Sequence, residues 1–497
     1  MDNDNMNLSK RRKRQSSSSL TMVDGNDGED RISKLPNSVI VHILSFLKTE
    51  NVVPTCVLSK RWKFIWYSVP TIFFSMTGLC SRMDTAQYLE WQQDPEKFYI
   101  YVEKYLEHRK KGMYFIENSI STSFKLEMFG YYKKSKAGIV DKWLAFAVEN
   151  KVKEINLSIG RDKDNGGCCY CLPKILVNAT YLTILELCGV GLNTSHSFNF
   201  PSLKTLSLEY VWLSHTAKED VVVKFLLGCH SLEKLQLCRY EFLHIDGKLR
   251  LGSLSLKFLE LEHTINVDDI KVEAINLESL VLRGASVRNI NFSACKKIRN
   301  LLLDDTSDEF EPLLHTLLAN NPLLENLTLI FHHLHENHLK ISGKELKSFN
   351  FTSSYFGPCN ITIESAPKLA YFCYEGHMDL SISIEPSISL SGKIVILEGE
   401  TEYVDDRYEA AWFTDMLNFL LNLNCSWNTI SLHVVEYEAL IWPEKLKRVC
   451  RSPLLNWKHL KVITKCSNPK RISDLKDSLM WISPSLETLS INEKHIF

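Results

Sequence analysis

The chain has 497 residues, 45% of them hydrophobic and 24% charged, with 58 basic residues against 59 acidic ones. That balance excludes a strongly basic chain built for nucleic acid or a membrane surface, so neither is expected as a partner. The length exceeds one compact core, which leaves several domains or an array that grows in one dimension.

The chain begins polar and basic, without the apolar stretch of a secretory signal, and no run of about 18 apolar residues suggests a membrane span. Fourteen cysteines are scattered without a regular framework, so reduced thiols in cytosol or nucleus are expected. Residues 1–29 are rich in Asn, Ser and Asp and nearly free of large apolar groups. Such a segment cannot offset its ordering entropy and reads as a disordered tail. Inside it, Lys10, Arg11, Arg12, Lys13 and Arg14 form a basic run that fits either a nuclear localisation signal or a solvated tail.

From Leu35 to Trp66 the chain reads LPNSVIVHILSFLKTENVVPTCVLSKRWKFIW. Pro36 marks a helix entry, and Val39, Ile40, Ile43, Leu44 and Leu47 recur at helical steps that predict one apolar face. Asn51 is placed to cap a second short helix holding Val52, Val53 and Val57, with Pro54 in its first turn. Ser59 is placed to cap a third, with Trp62, Ile65 and Trp66 on one side and Lys60, Arg61 and Lys63 on the other. Three short helices then carry more apolar surface than they can cover among themselves. They must pack on the rest of the chain or on a partner, because so small a unit is rarely stable alone.

The pattern L-P-x-x-V-I-x-x-I-L-S-F-L followed by V-x-x-x-x-V-L-S-K-R-W-x-x-x-W, at residues 35–47 and 52–66, resembles the F-box of plant F-box/leucine-rich-repeat proteins. The resemblance runs from about Asp30 to Phe74. It implies docking onto a Skp-type adaptor that is held by cullin and RING subunits of a ubiquitin ligase. It also implies that Leu35, Pro36, Ile43, Leu44, Leu47, Leu58 and Trp62 contact that adaptor. Lys48-Thr49 stands where such proteins often carry proline, which predicts a looser first turn.

Residues 75–136 read as a bridging segment, with a helix over Phe98–Leu106 (Tyr99, Val102, Tyr105 and Leu106 at helical steps) and a strand through Phe124, Leu126 and Met128. The pattern L-x-x-L-x-L then repeats. Its first anchors are Leu182, Leu203, Leu232, Leu256, Leu277, Ile298, Leu324, Leu346 and Leu369, after an earlier copy at Val152, and their steps run from 21 to 29 residues. Leucine-rich repeats have that period. The last two anchors of each set are two residues apart, so both face one side of a short strand. Longer steps have room for helices, over Glu219–Leu227 with Gly228 as the stop and over Glu309–Leu318, whereas the shortest hold only turns.

After the repeats come alternating apolar residues at Ile382, Ile384, Ile388 and Leu390, then Ile394 to Leu397. An amphipathic run over Tyr408–Leu421 contains Trp412, Phe413, Leu417 and Leu420. Next are a strand at Ile430, Leu432 and Val434, a helix over Ile472–Trp481, and echoes of the repeat at Leu460 with Ile463 and at Leu486, Leu489 and Ile491. This end loosely resembles the FBD region that closes many plant F-box/leucine-rich-repeat proteins, and it would cap the array.

No Gly-x-Ser-x-Gly, His-Glu-x-x-His or phosphate-loop pattern occurs, and glycine is sparse at 20 residues. Cys168, Cys169 and Cys171 lack a second ligand pair at zinc spacing and read as a loop. His332, His333, His335 and His338 have no spaced carboxylate or cysteine partner. No catalytic residue, metal or cofactor is therefore assigned. The expected fold is α/β: a three-helix F-box followed by an irregular solenoid, with parallel strands on one face and helices or turns on the other. The division is 1–29 tail, 30–74 F-box, 75–136 bridge, 137–400 repeats and 401–497 cap. The expected function is substrate recognition for a Skp–cullin–F-box ubiquitin ligase, with an unidentified target protein on the repeats. The rivals are a scaffold that joins no ligase and a receptor gated by a small molecule.

Overall fold

The computed structural model describes residues 32, 34–76, 95–113, 122–128, 131–162, 168–177, 179–193, 195–213, 220–242, 249–265, 270–284, 290–305, 310–332, 338–354, 357–384, 389–397, 410–424, 426–465, 471–492 and 494–495. The basic run at 10–14, His333, His335 and Ile388 lie outside the described residues.

Three helices open the chain: α1 (Asn37–Ser45), α2 (Thr49–Val52) and α3 (Lys60–Ile65), with a 3-10 turn over Val53–Val57 after α2. Ser59 caps α3 as expected, its Oγ accepting the Trp62 N–H at 3.4 Å. The second helix departs from expectation. It starts two residues before Asn51, and Lys48, with extended backbone, is its N-cap. Thr49 does not loosen that turn. It is buried, and its Oγ1 accepts the Phe73 N–H at 2.8 Å, which ties the helices to the first strand.

That strand, β1 (Thr71–Ser75), pairs in parallel with β2 (Ser123–Glu127), and β2 with β3 (Glu154–Ser158). The sheet thus starts inside residues 30–74 and runs without a break through the segment expected as a bridge. It holds 17 strands among the described residues. Successive strands add in chain order, all parallel except the closing pair Thr488–Ile491 with Lys494–His495. Leu185, Leu206, Leu235, Leu259, Leu280, Leu301 and Leu327 stand opposite one another in register, followed by Phe349 and Phe372. All nine are buried. The first anchors, from Leu182 to Leu369, are buried as well, in the turns leading into the strands.

In the ladder Gly392 takes the place of an anchor beside Phe372. A Cβ there would lie 2.3 Å from the Trp427 ring and 2.4 Å from the Phe372 carbonyl oxygen, so glycine is required for the indole to fill the layer. In the strand His459–Ile463 the inward residues are Leu460 and Val462, while Ile463 faces out. The period of two selects Val462 where the sequence reading paired Leu460 with Ile463.

The helix Ala137–Glu149 was not expected, and five others overlap the expected ones. They are Pro95–Met113, Val221–Gly228 (capped by the Asp220 side chain, which accepts the Val222 N–H at 2.8 Å), Phe310–Asn320, Ala410–Asn422 and Ile472–Ile482. The alternation at Ile382 and Ile384 falls on a strand as read, and further strands form between the repeat anchors. Leu249–Gly252 pairs with Ile270–Glu273, and His338–Ser342, Cys359–Ser365, Leu380–Ile384 and Leu423–Asn424 make a second parallel sheet. Cys168–Cys171 is a strand rather than a loop. Among the described residues, no helix is long and apolar enough to cross a membrane.

Leu259 is fully buried between Leu235 and Leu280. Leu259→Ala is expected to destabilise the array by roughly 2–5 kcal/mol through lost burial plus the cavity left behind, read by denaturant unfolding. Glu260→Ala, one residue on and facing outward, is the control and is expected to change stability far less.

Candidate functional site

Helix α1 is apolar on two sides. Ile40 and Leu44 turn inward and are buried, whereas Val39, Ile43, Phe46 and Leu47 turn outward and are exposed. The five residues expected on one face are therefore split between two, because steps of four separate 40 and 44 from 39, 43 and 47 by about 100°. A helix apolar all round needs a partner on both sides.

The inner partner is the chain itself. Trp62, Ile65 and Trp66 are buried with Ile40 and Leu44, and Trp66 lies against Tyr105 with ring centroids 5.3 Å apart. Tyr105 in turn meets Phe74 of β1 edge-on at 5.3 Å. The Arg61 guanidinium donates to the Leu35 carbonyl and to Asn37 Oδ1, the latter at 2.7 Å, which pins the entry of α1 to α3. Leu44 and Trp62, expected at the adaptor contact, thus belong to the interior of this chain. Leu35 is half-buried, Pro36 is exposed and serves as the N-cap of α1, and Ile43, Leu47 and Leu58 are exposed.

The outer side has no partner within the described chain. Phe46 is 76% exposed, Val57 82% and Leu58 63%, and Phe64 also faces solvent. Val39 and Val57, read only as apolar helix positions, and Phe46 and Phe64, not singled out in the sequence, belong to this exposed side. Phe46 and Val57 stand inside the quoted motif, and their large apolar side chains next to anchors already turned inward were the available signal.

Beneath the helices lies a buried polar joint. Arg109 of the helix Pro95–Met113 is fully buried, and its Nη1 and Nη2 donate to the carbonyls of Trp66 at 2.5 Å and Val69 at 2.6 Å. Burial raises the Tyr105 hydroxyl, opposed by Arg109 and by side-chain hydrogen bonds with Arg109 and Thr49. A Cβ on Gly112 would lie 2.2 Å from the Tyr67 ring, so glycine allows that helix to approach. Glu50 sits in the same joint, and burial raises its carboxyl to about 7 against the opposing pull of its backbone hydrogen bond and Lys48, with Glu127 adding to the rise. Its Oε1 has no hydrogen-bond partner among the described residues.

A second surface is the outward face of the long sheet. Glu209 and Glu262 flank Cys238, whose thiol is pushed up to about 12 by burial and then by those carboxylates. Arg283 bridges Glu260 at 3.7 Å and Asp304 at 3.7 Å, and His332 Nε2 lies 3.1 Å from Asp304. Val281 and Leu302 lie side by side on neighbouring strands, half-exposed. Toward the last strands Lys393 and Lys461 depress His433, after burial as the main cause. Carboxylates thus stand beside Cys238 and lysines beside His433 on this face. Among the described residues no three His, Cys, Asp or Glu side chains converge as metal ligands.

The F-box domain model matches residues 32–74, which hold the two-sided helix and its uncovered face. The model described as At1g61320/AtMIF1, LRR domain, matches residues 119–347, which hold the leucine ladder. The chain is a plant-type F-box/leucine-rich-repeat protein. Its relatives in Arabidopsis thaliana include F-box/FBD/LRR-repeat protein At2g04230, 28% identical over 356 residues that span 69% of this chain and 73% of the relative. Putative FBD-associated F-box protein At5g22720 is 25% identical over 360 residues, 69% of each chain. Putative F-box/LRR-repeat protein At4g00320 is 31% identical over 349 residues, 67% of this chain and 60% of the relative.

The Glu50 carboxyl has a folded value near 7 against an ordinary 4.5, so the folded state holds its proton more tightly. The stability it contributes is fully present below about 4.5 and is lost as pH rises through 7, at roughly 1.4 kcal/mol per pH unit across that window. Glu50→Gln removes the charge. Denaturant melts at pH 5 and pH 8 are expected to show the variant gaining on the wild type between the two, by on the order of 2–3 kcal/mol.

Proposed function

We propose that this F-box/leucine-rich-repeat protein is the substrate-recognition subunit of a Skp–cullin–F-box ubiquitin ligase. The uncovered face of α1 and the turn after α2 dock the Skp-type adaptor, and the outward face of the sheet binds a target protein. Cullin and RING subunits join through the adaptor. The protein supplies proximity and orientation for transfer of ubiquitin to the target, and carries no catalytic residue of its own.

The observation that supports this reading most is the exposure of Ile43, Phe46, Leu47, Val57 and Leu58 together, on helices whose other side is already sealed. Buried apolar anchors dominate protein interfaces, and such an interface takes roughly 800 Å² from each partner. The carboxylates beside Cys238 and the lysines beside His433 fit a protein target with both signs of charge. The FBD-like end, residues 401–497, is proposed as the cap of the array. Nucleus or cytoplasm is proposed as the site of action, on the basic run at 10–14 alone.

Capture by a purified Skp-type adaptor tests the reading. Ile43→Asp and Leu58→Asp are each expected to weaken capture by at least about 30-fold, the loss of one interface anchor of about 2 kcal/mol, with the melting temperature unchanged. Leu302→Asp on the sheet face is expected to leave capture intact. Capture of none of the four proteins would leave a scaffold that joins no ligase, and equal capture of all four would put the adaptor on a surface other than the uncovered face of α1.

A further inference from the structure

The helix Glu444–Val449 and the loop after it lie next to the last strands of the sheet, far along the array from α1. Val449 is 84% exposed and Leu454 is 66% exposed, five residues apart in the chain. Lys445, Arg448 and Arg451 are exposed in the same ten-residue segment. Lys447 is paired with Glu444 at 3.0 Å, whereas Lys445, Arg448 and Arg451 have no carboxylate partner among the described residues.

Leu454 also has a backbone that leucine resists. Its φ is +49°, in the left-handed region, which costs a residue with a Cβ roughly 1–2 kcal/mol. The conformation is enforced from both sides. The Leu454 N–H donates to Ser452 Oγ at 3.1 Å, and that hydroxyl donates to the Trp481 carbonyl. The Leu455 N–H donates to the Ile482 carbonyl at 2.9 Å, and Ser483 Oγ donates to the Leu455 carbonyl at 2.7 Å. The loop is thereby fastened to the end of the helix Ile472–Ile482. A turn of this shape favours glycine or asparagine, and burial favours leucine. Leu454 satisfies neither, being both left-handed and exposed. Backbone strain held in place by its surroundings points to a contact made there.

We propose that Lys445–Leu454 is a docking site for an acidic protein segment carrying an apolar anchor. Val449 and Leu454 form the apolar centre, and Lys445, Arg448 and Arg451 form a cationic rim, the usual anatomy of a protein interface. Two apolar side chains on a short helix end and a loop give too narrow a face for a membrane surface, which engages the long apolar side of a helix. Phosphate backbones are gripped by cations and stacked aromatic rings, and leucine offers them nothing.

The test selects a random peptide display library on the full chain. Enriched peptides are expected to carry net negative charge and at least one Leu, Phe or Trp, and to bind more weakly as salt rises. Their affinity is expected to fall at least tenfold for Arg448→Glu with Arg451→Glu, and at least tenfold for Leu454→Gly. Leu454→Gly separates contact from folding, because glycine relieves the strained φ and the melting temperature is expected to hold or rise. The proposal is overturned if no peptide is enriched, if enriched peptides are neutral or basic, or if Leu454→Gly binds them as the wild type does. It is equally overturned if vesicles of phosphatidylserine and phosphatidylcholine sediment the wild type but not the variants, since the patch then belongs to a membrane.

Discussion

The hydrogen bonding of β1 to β2 is the constraint on which the rest depends. It makes the last element of the helical module the first strand of the repeat sheet. The inner side of the helices is consequently sealed by the same apolar layer that runs beneath the repeats, with Phe74 meeting Phe124 at 6.3 Å and Tyr105 at 5.3 Å. Once that side is occupied, the outer side of α1 has only solvent or a second protein to face. An uncovered apolar surface on a well-anchored support is a binding surface, whereas the same side chains on a loose segment would collapse inward.

The polar joint gives that support its stiffness. Arg109 reaches across from the helix Pro95–Met113 to satisfy two carbonyls at the end of the helical module, and Thr49 accepts from β1. Buried hydrogen bonds of this kind fix one geometry, because each lost partner leaves a desolvated group behind. Glu50 is the exception within the joint: a carboxyl whose burial is only partly compensated, and so the one member whose protonation alters stability near neutral pH. In the proposed role, holding a target at a set distance from a transferring enzyme, such a rigid coupling has a use.

Much of this was legible in the residues. The leucine spacing placed the strands, their inward faces and most of the longer helices, because a period of two within a period of 21 to 29 has few other solutions. Ser59 was legible as a cap because its hydroxyl precedes an apolar turn. What was not legible follows from packing between distant segments. Apolar periodicity identifies the apolar positions of α1 but not which side the rest of the chain covers, so Leu44 and Trp62 could not be told from Ile43 and Leu58. Thr49 reads as a lost proline until β1 is seen beside it. Gly392 interrupts the ladder because Trp427 fills the layer from the next strand, a contact between residues that no local pattern connects.

Amide hydrogen exchange of the full chain, with and without a Skp-type adaptor, tests the central claim most directly. The account predicts added protection in residues 37–47 and 53–64, with the strands from Glu154 to Arg283 unchanged. Protection confined to the sheet, or none anywhere at saturating adaptor, would contradict it.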